Sequence, residues 1–486
     1  MSANPHPSPP PRGGRGSAPA LGLIVAGTHS GVGKTTVTSS IAAALAARGL
    51  AVQPYKAGPD YLDPGHLGRA AGRVARNLDT WMVPPPVVAE LFGRAARDAD
   101  LALIEGVMGL FDGRSGPAGG VTGDEGSAAD LARLLGLPVL LVVDASAVAR
   151  SIAATVLGFQ SFDASVRIAG VVLNRVGSAR HAALCRDAIV QATGLPVVGA
   201  LPRAPEVAWP ERHLGLVPDA EAAGDPARLA AFAEAHIDLD AVLRLAVPVV
   251  EAPATGLFPE QRATTTGTGR VPIAIARDRA FHFYYPESLE LLEAWGADLL
   301  PFSPLEDRAL PEGARGVLLG GGFPEVFARE LAANTAMHGA LRDAGARGVT
   351  IYGECGGLMY LGRSLTDAEG ARHAMAGVLP CASTMQGARL ALGYREAESC
   401  GTPLLPRGER MRGHEFHYSA LVEGPDAATA AYRIARDGDA PSFEAGRVEG
   451  VRAGSATGTY LHTHLAARPD LARNLVAAAR ASAGVA

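Results

Sequence analysis

Short apolar runs recur along the chain, each closed by glycine or polar residues. Leu21–Ala26, Leu101–Val107, Pro138–Val143, Ile168–Leu173 and Leu195–Ala200 are such runs. A run of this length that does not alternate is the pattern of a strand buried on both faces. About 25 residues separate the later runs, the length that a crossover helix and its loops require. After the first run, Val37, Ile41, Ala44 and Leu45 recur at helical spacing until Gly49, a helix stop. From Val247 to Arg270 the chain is rich in Pro, Thr and Gly and loses any helical period, which predicts a linker. Apolar runs resume at Val271–Ala276, Gly316–Leu319 and Gly348–Tyr352. The expected organisation is a disordered tail over 1–20, an α/β domain over 21–246, a linker over 247–270 and a second α/β domain over 271–486. Each domain is expected to be a mostly parallel sheet covered by helices on both faces.

Composition narrows the function classes. The chain has 486 residues, 48 % hydrophobic but only 5 % aromatic, so its cores must be built largely from Ala, Val and Leu. A formal net charge of −5 argues against a nucleic-acid groove or a polybasic membrane patch, so any anionic ligand has to be bound locally. The cysteines, Cys185, Cys355, Cys381 and Cys400, form no CxxC pair, which points away from a zinc site or a disulfide framework and toward a reducing, cytoplasmic setting. No apolar run approaches the length needed to span a bilayer, and the Pro-, Gly- and Ser-rich first twenty residues lack a signal-peptide core.

The first run leads directly into Gly27-Thr28-His29-Ser30-Gly31-Val32-Gly33-Lys34-Thr35-Thr36. Strand, glycine loop and helix in this order converge backbone N–H groups and a helix N-terminus on one anion, with Lys34 adding charge and Thr35 offering a hydroxyl to Mg²⁺. Thr28, Gly31, Val32, Gly33, Lys34, Thr35 and Thr36 are therefore the candidate ATP-binding residues. Thr28 stands where the strict P-loop pattern has glycine. Lys56 to Pro64 is a turn-rich segment after a short strand, and loops at the carboxyl edge of a parallel sheet are where ligands gather. Lys56 is a candidate for an anion there, and Asp60 and Asp63 for metal or substrate. Glu105, near the end of an apolar run, is a candidate to hold Mg²⁺ directly or through water. Asn174 could read an adenine edge or simply cap its loop.

In the second half, Gly320-Gly321-Gly322-Phe323-Pro324-Glu325 leaves bare backbone amides at a strand end, as an oxyanion site requires. Gly353-Glu354-Cys355-Gly356-Gly357 places a cysteine at a predicted strand-to-helix turn, the arrangement of a nucleophile elbow. A cysteine nucleophile needs a base, and His462 in Gly458-Thr459-Tyr460-Leu461-His462-Thr463-His464 is the candidate, with His464 structural if the segment is a strand. Arg412 to Tyr418 is dense in functional side chains and serves either binding or packing.

Together these motifs resemble triad-type (class I) glutamine amidotransferases fused to a dethiobiotin-synthetase-like P-loop ATPase, and the whole chain after the tail resembles the cobyrinic acid a,c-diamide synthase family. Lys56-Ala57-Gly58-Pro59-Asp60-Tyr61-Leu62-Asp63-Pro64 combined with the glutaminase motifs is the specific part of the match. The resemblance implies that Cys355 attacks glutamine, that the Gly321 and Gly322 amides hold the oxyanion and that His462 is the base. It implies ATP with Mg²⁺ on Thr35, Asp60 and Glu105, and phosphorylation of a substrate carboxylate that ammonia then captures. It further implies a corrinoid ring amidated at its a and c acetates, cobyrinate or metal-free hydrogenobyrinate, with nickel-sirohydrochlorin as an alternative and with Tyr61 and Leu62 near the ring. The His-x-Glu of the wider superfamily reads His462-Thr463-His464 here, so a Cys–His dyad with some other acceptor is expected. A nucleotide-switched partition ATPase, or a scaffold that has lost catalysis, are the competing readings. His29 in place of a second lysine opposes the first, and the presence of both Cys355 and His462 opposes the second. A homodimer is compatible with the sequence but not required by it.

Overall fold

The computed structural model describes residues 19–114, 123–207, 224–259, 269–387, 389–436, 442–482 and 484. The predicted tail lies almost entirely outside the described residues. By internal packing the chain forms two compact units; the main boundary in sequence falls between Pro253 and Ala254, and the short segment Trp81–Pro84 is grouped with the second unit.

In the first unit the strands are β1 (Leu21–Gly27), β2 (Val52–Ala57), β3 (Arg76–Leu78), β4 (Leu101–Glu105), β5 (Val139–Asp144), β6 (Ile168–Val176), β7 (Val197–Pro202) and β8 (Val247–Pro248). They form one sheet in the order β3-β2-β4-β1-β5-β6-β7, with β8 added antiparallel against the start of β1. All other pairings are parallel. Leu23, Val25, Leu101, Leu103, Leu140 and Val142 pack with Val37, Ile41 and Leu45 of the helix Lys34–Ala47. The alternate residues Ile24, Ile104 and Leu141 are equally buried, so both faces of the sheet are covered and the non-alternating runs are accounted for. β4 stops at Glu105, so Gly106 and Val107 belong to the following loop.

The second unit contains β9 (Val271–Ala276), β10 (Phe281–Phe283), β11 (Ala297–Phe302), β12 (Gly316–Leu319), β13 (Gly321–Gly322), β14 (Thr350–Glu354), β15 (Ser364–Thr366) and β16 (Arg372–Ala374). It continues with β17 (Ala382–Thr384), β18 (Ala391–Ser399), β19 (Arg410–His417), β20 (Ala420–Glu423), β21 (Ala430–Arg436), β22 (Ser442–Ala453) and β23 (Ala456–Thr459). Its main sheet runs β11-β9-β12-β14-β23-β22-β21-β18-β19. The part from β11 to β23 is parallel, and from β23 onward every pairing is antiparallel. β14 begins two residues later than the apolar run suggests and reaches Glu354, because Gly348 turns at φ 82° before the strand can start. Among the described residues no helix is long and apolar enough to cross a membrane.

Candidate active sites

The first site sits at the carboxyl ends of β1, β2 and β4. The loop after β1 is pinned to the neighbouring strand by Thr28 N, which donates to Val142 O at 3.2 Å, while the Thr28 hydroxyl meets His29 Nδ1 at 2.9 Å. Gly31 and Val32 carry the loop on, and Gly33, at φ 98°, caps the helix that begins at Lys34. A Cβ on Gly33 would lie 2.2 Å from Asn174 Nδ2, so only glycine fits there. Asn174 uses that amide to donate to Val32 O at 2.8 Å, and Arg175 donates to Gly31 O at 2.6 Å while pairing with Asp144. Asn174 thus buttresses the phosphate loop from the end of β6. Arg175 was not singled out from the sequence, although it follows Asn174 directly.

Lys34 Nζ donates to His29 O at 3.3 Å and to Met108 O, and burial and the nearby Lys56 charge hold its pKa below the usual lysine range. Thr35 donates from Oγ1 to Glu105 Oε1 at 2.7 Å, and Thr36 follows half-buried on the same turn. Lys56 Nζ bridges Glu105 Oε1 at 2.9 Å and Asp63 Oδ2 at 2.7 Å. Burial works against the Lys56 ammonium, but Asp63, Glu105 and Asp60 together hold its pKa above the usual range. Burial pushes Glu105 up to about 7 against the opposing pull of Lys56.

Asp60 is placed differently from Asp63. Its Oδ1 accepts from the amides of Leu62 and Asp63 at 2.8 and 3.0 Å, closing the turn that starts the helix Asp63–Ala71. Burial and the Asp63 charge raise its pKa to about 6. Tyr61 and Leu62 lie half-buried on this turn, whose carbonyls at Gly58 and Asp60 are held by the Asn77 side chain.

Among the described residues Glu105 Oε2 is buried without a hydrogen-bond partner, while the Thr35 hydroxyl bonds the other oxygen of the same carboxyl. A hard divalent cation fits that pair of oxygen donors. Among the described residues no three acidic, His or Cys side chains converge on one point. A Mg²⁺ there would complete its shell with phosphate oxygens and water.

The second site is built on β14. Cys355 follows the strand at φ 49°, ψ −103°, and its amide donates to Thr459 O at 2.7 Å. The helix Gly356–Leu361 starts at once, and Gly357 N donates to Gly320 O at 3.1 Å, tying the elbow to the glycine loop after β12. Gly321 and Gly322 form β13 against β10. A Cβ on Gly356 would come within 3.1 Å of Gly322 N, so that amide lies beside the residue after the nucleophile. A Cβ on Gly321 would lie 2.9 Å from His462 Cε1. The glycine loop therefore borders the cysteine turn at one residue and the imidazole at the next.

His462 is buried, and the Cys355 side chain is among the groups that act on its charge. Its backbone exchanges hydrogen bonds with His414 at 2.8 and 3.1 Å, and the two rings stack 4.9 Å apart. Burial opposes the imidazolium, but Cys355 and Glu354 outweigh it and hold the His462 pKa up at about 10. Glu354 Oε2 stands 3.7 Å from His462 Nδ1. His464 does not continue a strand: β23 has ended, and its ring stacks on Tyr285 at 4.6 Å while Nδ1 accepts from Ala466 N. Burial lowers its pKa to about 3. In the Arg412–Tyr418 segment, His414 holds His462 and Tyr285, Glu415 is clamped by Arg395 and Arg447, and Phe416 O lies 3.9 Å from Cys355 Sγ.

A phosphate-binding loop in one α/β unit and a cysteine–histidine elbow in the other define a P-loop nucleotide-binding protein fused to a glutamine amidotransferase. Residues 23–217 match the CobQ/CobB/MinD/ParA nucleotide binding domain and residues 272–470 the CobB/CobQ-like glutamine amidotransferase domain. The chain is 46 % identical to a cobyrinate a,c-diamide synthase of Salmonella typhimurium, over 94 % of this chain and 98 % of that protein. It is 43 % identical to a hydrogenobyrinate a,c-diamide synthase of Streptomyces coelicolor (95 and 98 %) and 45 % identical to one of Rhodobacter capsulatus (91 and 98 %). The chain belongs to the cobyrinate and hydrogenobyrinate a,c-diamide synthase family.

Proposed function

We propose that this protein is a glutamine-hydrolysing carbon–nitrogen ligase that uses ATP to amidate the a and c acetate carboxylates of cobyrinate or hydrogenobyrinate, a step of cobalamin biosynthesis in the cytoplasm. The observation that carries the reading is the pairing of Cys355 with a buried His462 in the same chain as a complete Lys34/Thr35/Glu105 phosphate site.

In the glutaminase, the Cys355 thiolate attacks the side-chain amide carbon of glutamine. Negative charge moves onto the amide oxygen, toward the Gly321 and Gly322 amides. The His462 imidazolium gives its proton to the departing nitrogen, releasing ammonia and leaving a thioester. Neutral His462 then takes a proton from water as it attacks the thioester, and glutamate leaves with the thiolate restored.

At the phosphate site, the loop amides from Thr28 to Thr36 and Lys34 would cradle the triphosphate, and Lys34 would leave the Met108 carbonyl to reach it. Mg²⁺ held by Thr35 and Glu105 would neutralise phosphate charge. Asp60 has one oxygen committed to its own turn, so Asp63 and Lys56 are the better placed polar groups to meet substrate, with Tyr61 and Leu62 beside them. A substrate acetate oxygen attacks the γ-phosphorus and ADP departs. Ammonia then attacks the acyl carbon and phosphate leaves, since a free carboxylate is a poor acyl donor.

The ring is decided by mass. Incubation with ATP, Mg²⁺ and glutamine should add two amide groups to cobyrinate or hydrogenobyrinate and none to nickel-sirohydrochlorin. Amidation of nickel-sirohydrochlorin alone would contradict the proposed substrate.

A further inference from the structure

A histidine that serves a thiolate needs an acceptor on the nitrogen turned away from sulfur, because that contact fixes the tautomer and the ring plane and stabilises the imidazolium. Two residues after the base stands His464, whose ring is packed on Tyr285 and whose Nε2 faces Glu287 at 4.0 Å. It offers His462 nothing. The carboxylate that does face His462 Nδ1 comes from the other side of the nucleophile, from Glu354, with Oε2 at 3.7 Å.

The local fold makes this placement deliberate. Glu354 is the last residue of β14 and lies opposite Thr459 in the parallel pairing with β23. Thr463 N donates to Glu354 Oε1 at 3.3 Å, which holds one carboxylate oxygen and leaves the other for the ring. His462 cannot turn away: its backbone is locked to His414 on both sides, its ring is stacked on the His414 ring, and Gly321 closes over Cε1. Nδ1 is thereby set facing Oε2 at 3.7 Å, and Nε2 is the ring nitrogen on the side away from Glu354.

We propose that Glu354 is the positioning residue of the glutaminase: a carboxylate, supplied by the residue before the nucleophile, that orients the His462 imidazole and stabilises its charged form. The proposal rests on Cys355 as nucleophile and His462 as base. Glu354 exchanges no proton in it. The Nδ1 proton stays on the ring while Nε2 carries a proton from sulfur to the leaving ammonia, and the 3.7 Å contact shortens when the charge on the ring has to be met. The groups facing the ring include Cys355, Glu354, His414 and His417, and burial holds both of these neighbouring histidines below the usual range, so they do not supply the negative charge.

The test is glutamine hydrolysis by Glu354→Gln and Glu354→Asp in the full chain, with ammonia-supported amide synthesis measured on the same preparations. Gln should lower kcat for glutamine at least about tenfold, with about 10⁴ the loss seen when a triad carboxylate is neutralised elsewhere. KM for glutamine should stay within about twofold, and the alkaline limb of the profile should move down by about one pH unit as the imidazolium loses a partner. Asp should recover part of kcat, and ammonia-supported synthesis should persist. A Gln variant with parental kcat and an unmoved alkaline limb would overturn the proposal. So would parallel loss of both activities with Asp no better than Gln, which would make Glu354 a packing residue. A Cys355→Ala variant that still hydrolysed glutamine would instead remove the nucleophile assignment beneath it.

Discussion

Cys355 occupies a backbone conformation, φ 49° and ψ −103°, that an L-residue holds at a cost of about 1–3 kcal/mol and only where its neighbours over-determine it. Its amide bond to Thr459 O and the Gly357 bond to Gly320 O are such constraints, and the result is a thiol presented off the end of β14. Glycine at 321 is required for a different reason, since an added methyl would press on His462 Cε1 at 2.9 Å. Gly321→Ala should therefore cost about 1–3 kcal/mol in denaturant unfolding and lower glutamine turnover at least about tenfold by shifting the base. Unfolding and glutamate release measured together check both halves of that statement. Cys355 and His462 were legible because each sits in a short motif whose neighbours are glycines or other chemistry-bearing residues. Glu354 was not, although it adjoins the nucleophile, because its role depends on β14 extending to it and on a cross-strand neighbour more than a hundred residues away in sequence, as the Thr463 contact shows.

At the level of elements, three strand ends do the assembling: β1 delivers Lys34 and Thr35, β2 delivers Lys56, and β4 delivers Glu105. Lys56 and Glu105 are paired across adjacent strands, at 4 % and 0 % side-chain exposure, and Asp63 completes the cluster. Lys56→Met would leave carboxylates buried without their counter-ion and should destabilise the first unit by about 3 kcal/mol near neutral pH. The sign of its pH dependence follows from Glu105. Burial raises the folded pKa of this carboxyl from the usual 4.5 to about 7, so the folded form binds the proton more tightly and the strain of holding a charge is relieved as pH falls through that window. Loss of Lys56 raises the folded value further while the unfolded value stays the same, so the Lys56→Met deficit should grow as pH rises above about 7 and shrink as pH falls from there toward 5. Denaturant midpoints of parent and variant between pH 5 and 8 measure it, and a deficit constant with pH would contradict the charge argument. The strands themselves were readable from apolar runs. Which aspartate meets Lys56 was not: Asp60 and Asp63 look equivalent in sequence, and only the turn, which engages Asp60 Oδ1 with two amides, separates them.

Across the whole molecule, parallel sheets were legible because strands buried on both faces leave unbroken apolar runs. The antiparallel extension from β22 through β19 was not, since strands such as Arg410–His417 carry charged residues and show no apolar run. Two half-reactions in one chain make a strict demand on nitrogen: it must come from glutamine through Cys355, or from solution when Cys355 is absent. The most direct measurement gives parent and Cys355→Ala protein ATP, Mg²⁺ and cobyrinate with either amide-¹⁵N-glutamine or ¹⁵N-ammonium, and weighs the ring. The parent should place ¹⁵N in two amides from glutamine, and Cys355→Ala should lose at least about 10³ of that rate while still forming both amides from ammonium. Undiminished ¹⁵N transfer from glutamine by Cys355→Ala would contradict the coupling of the two sites.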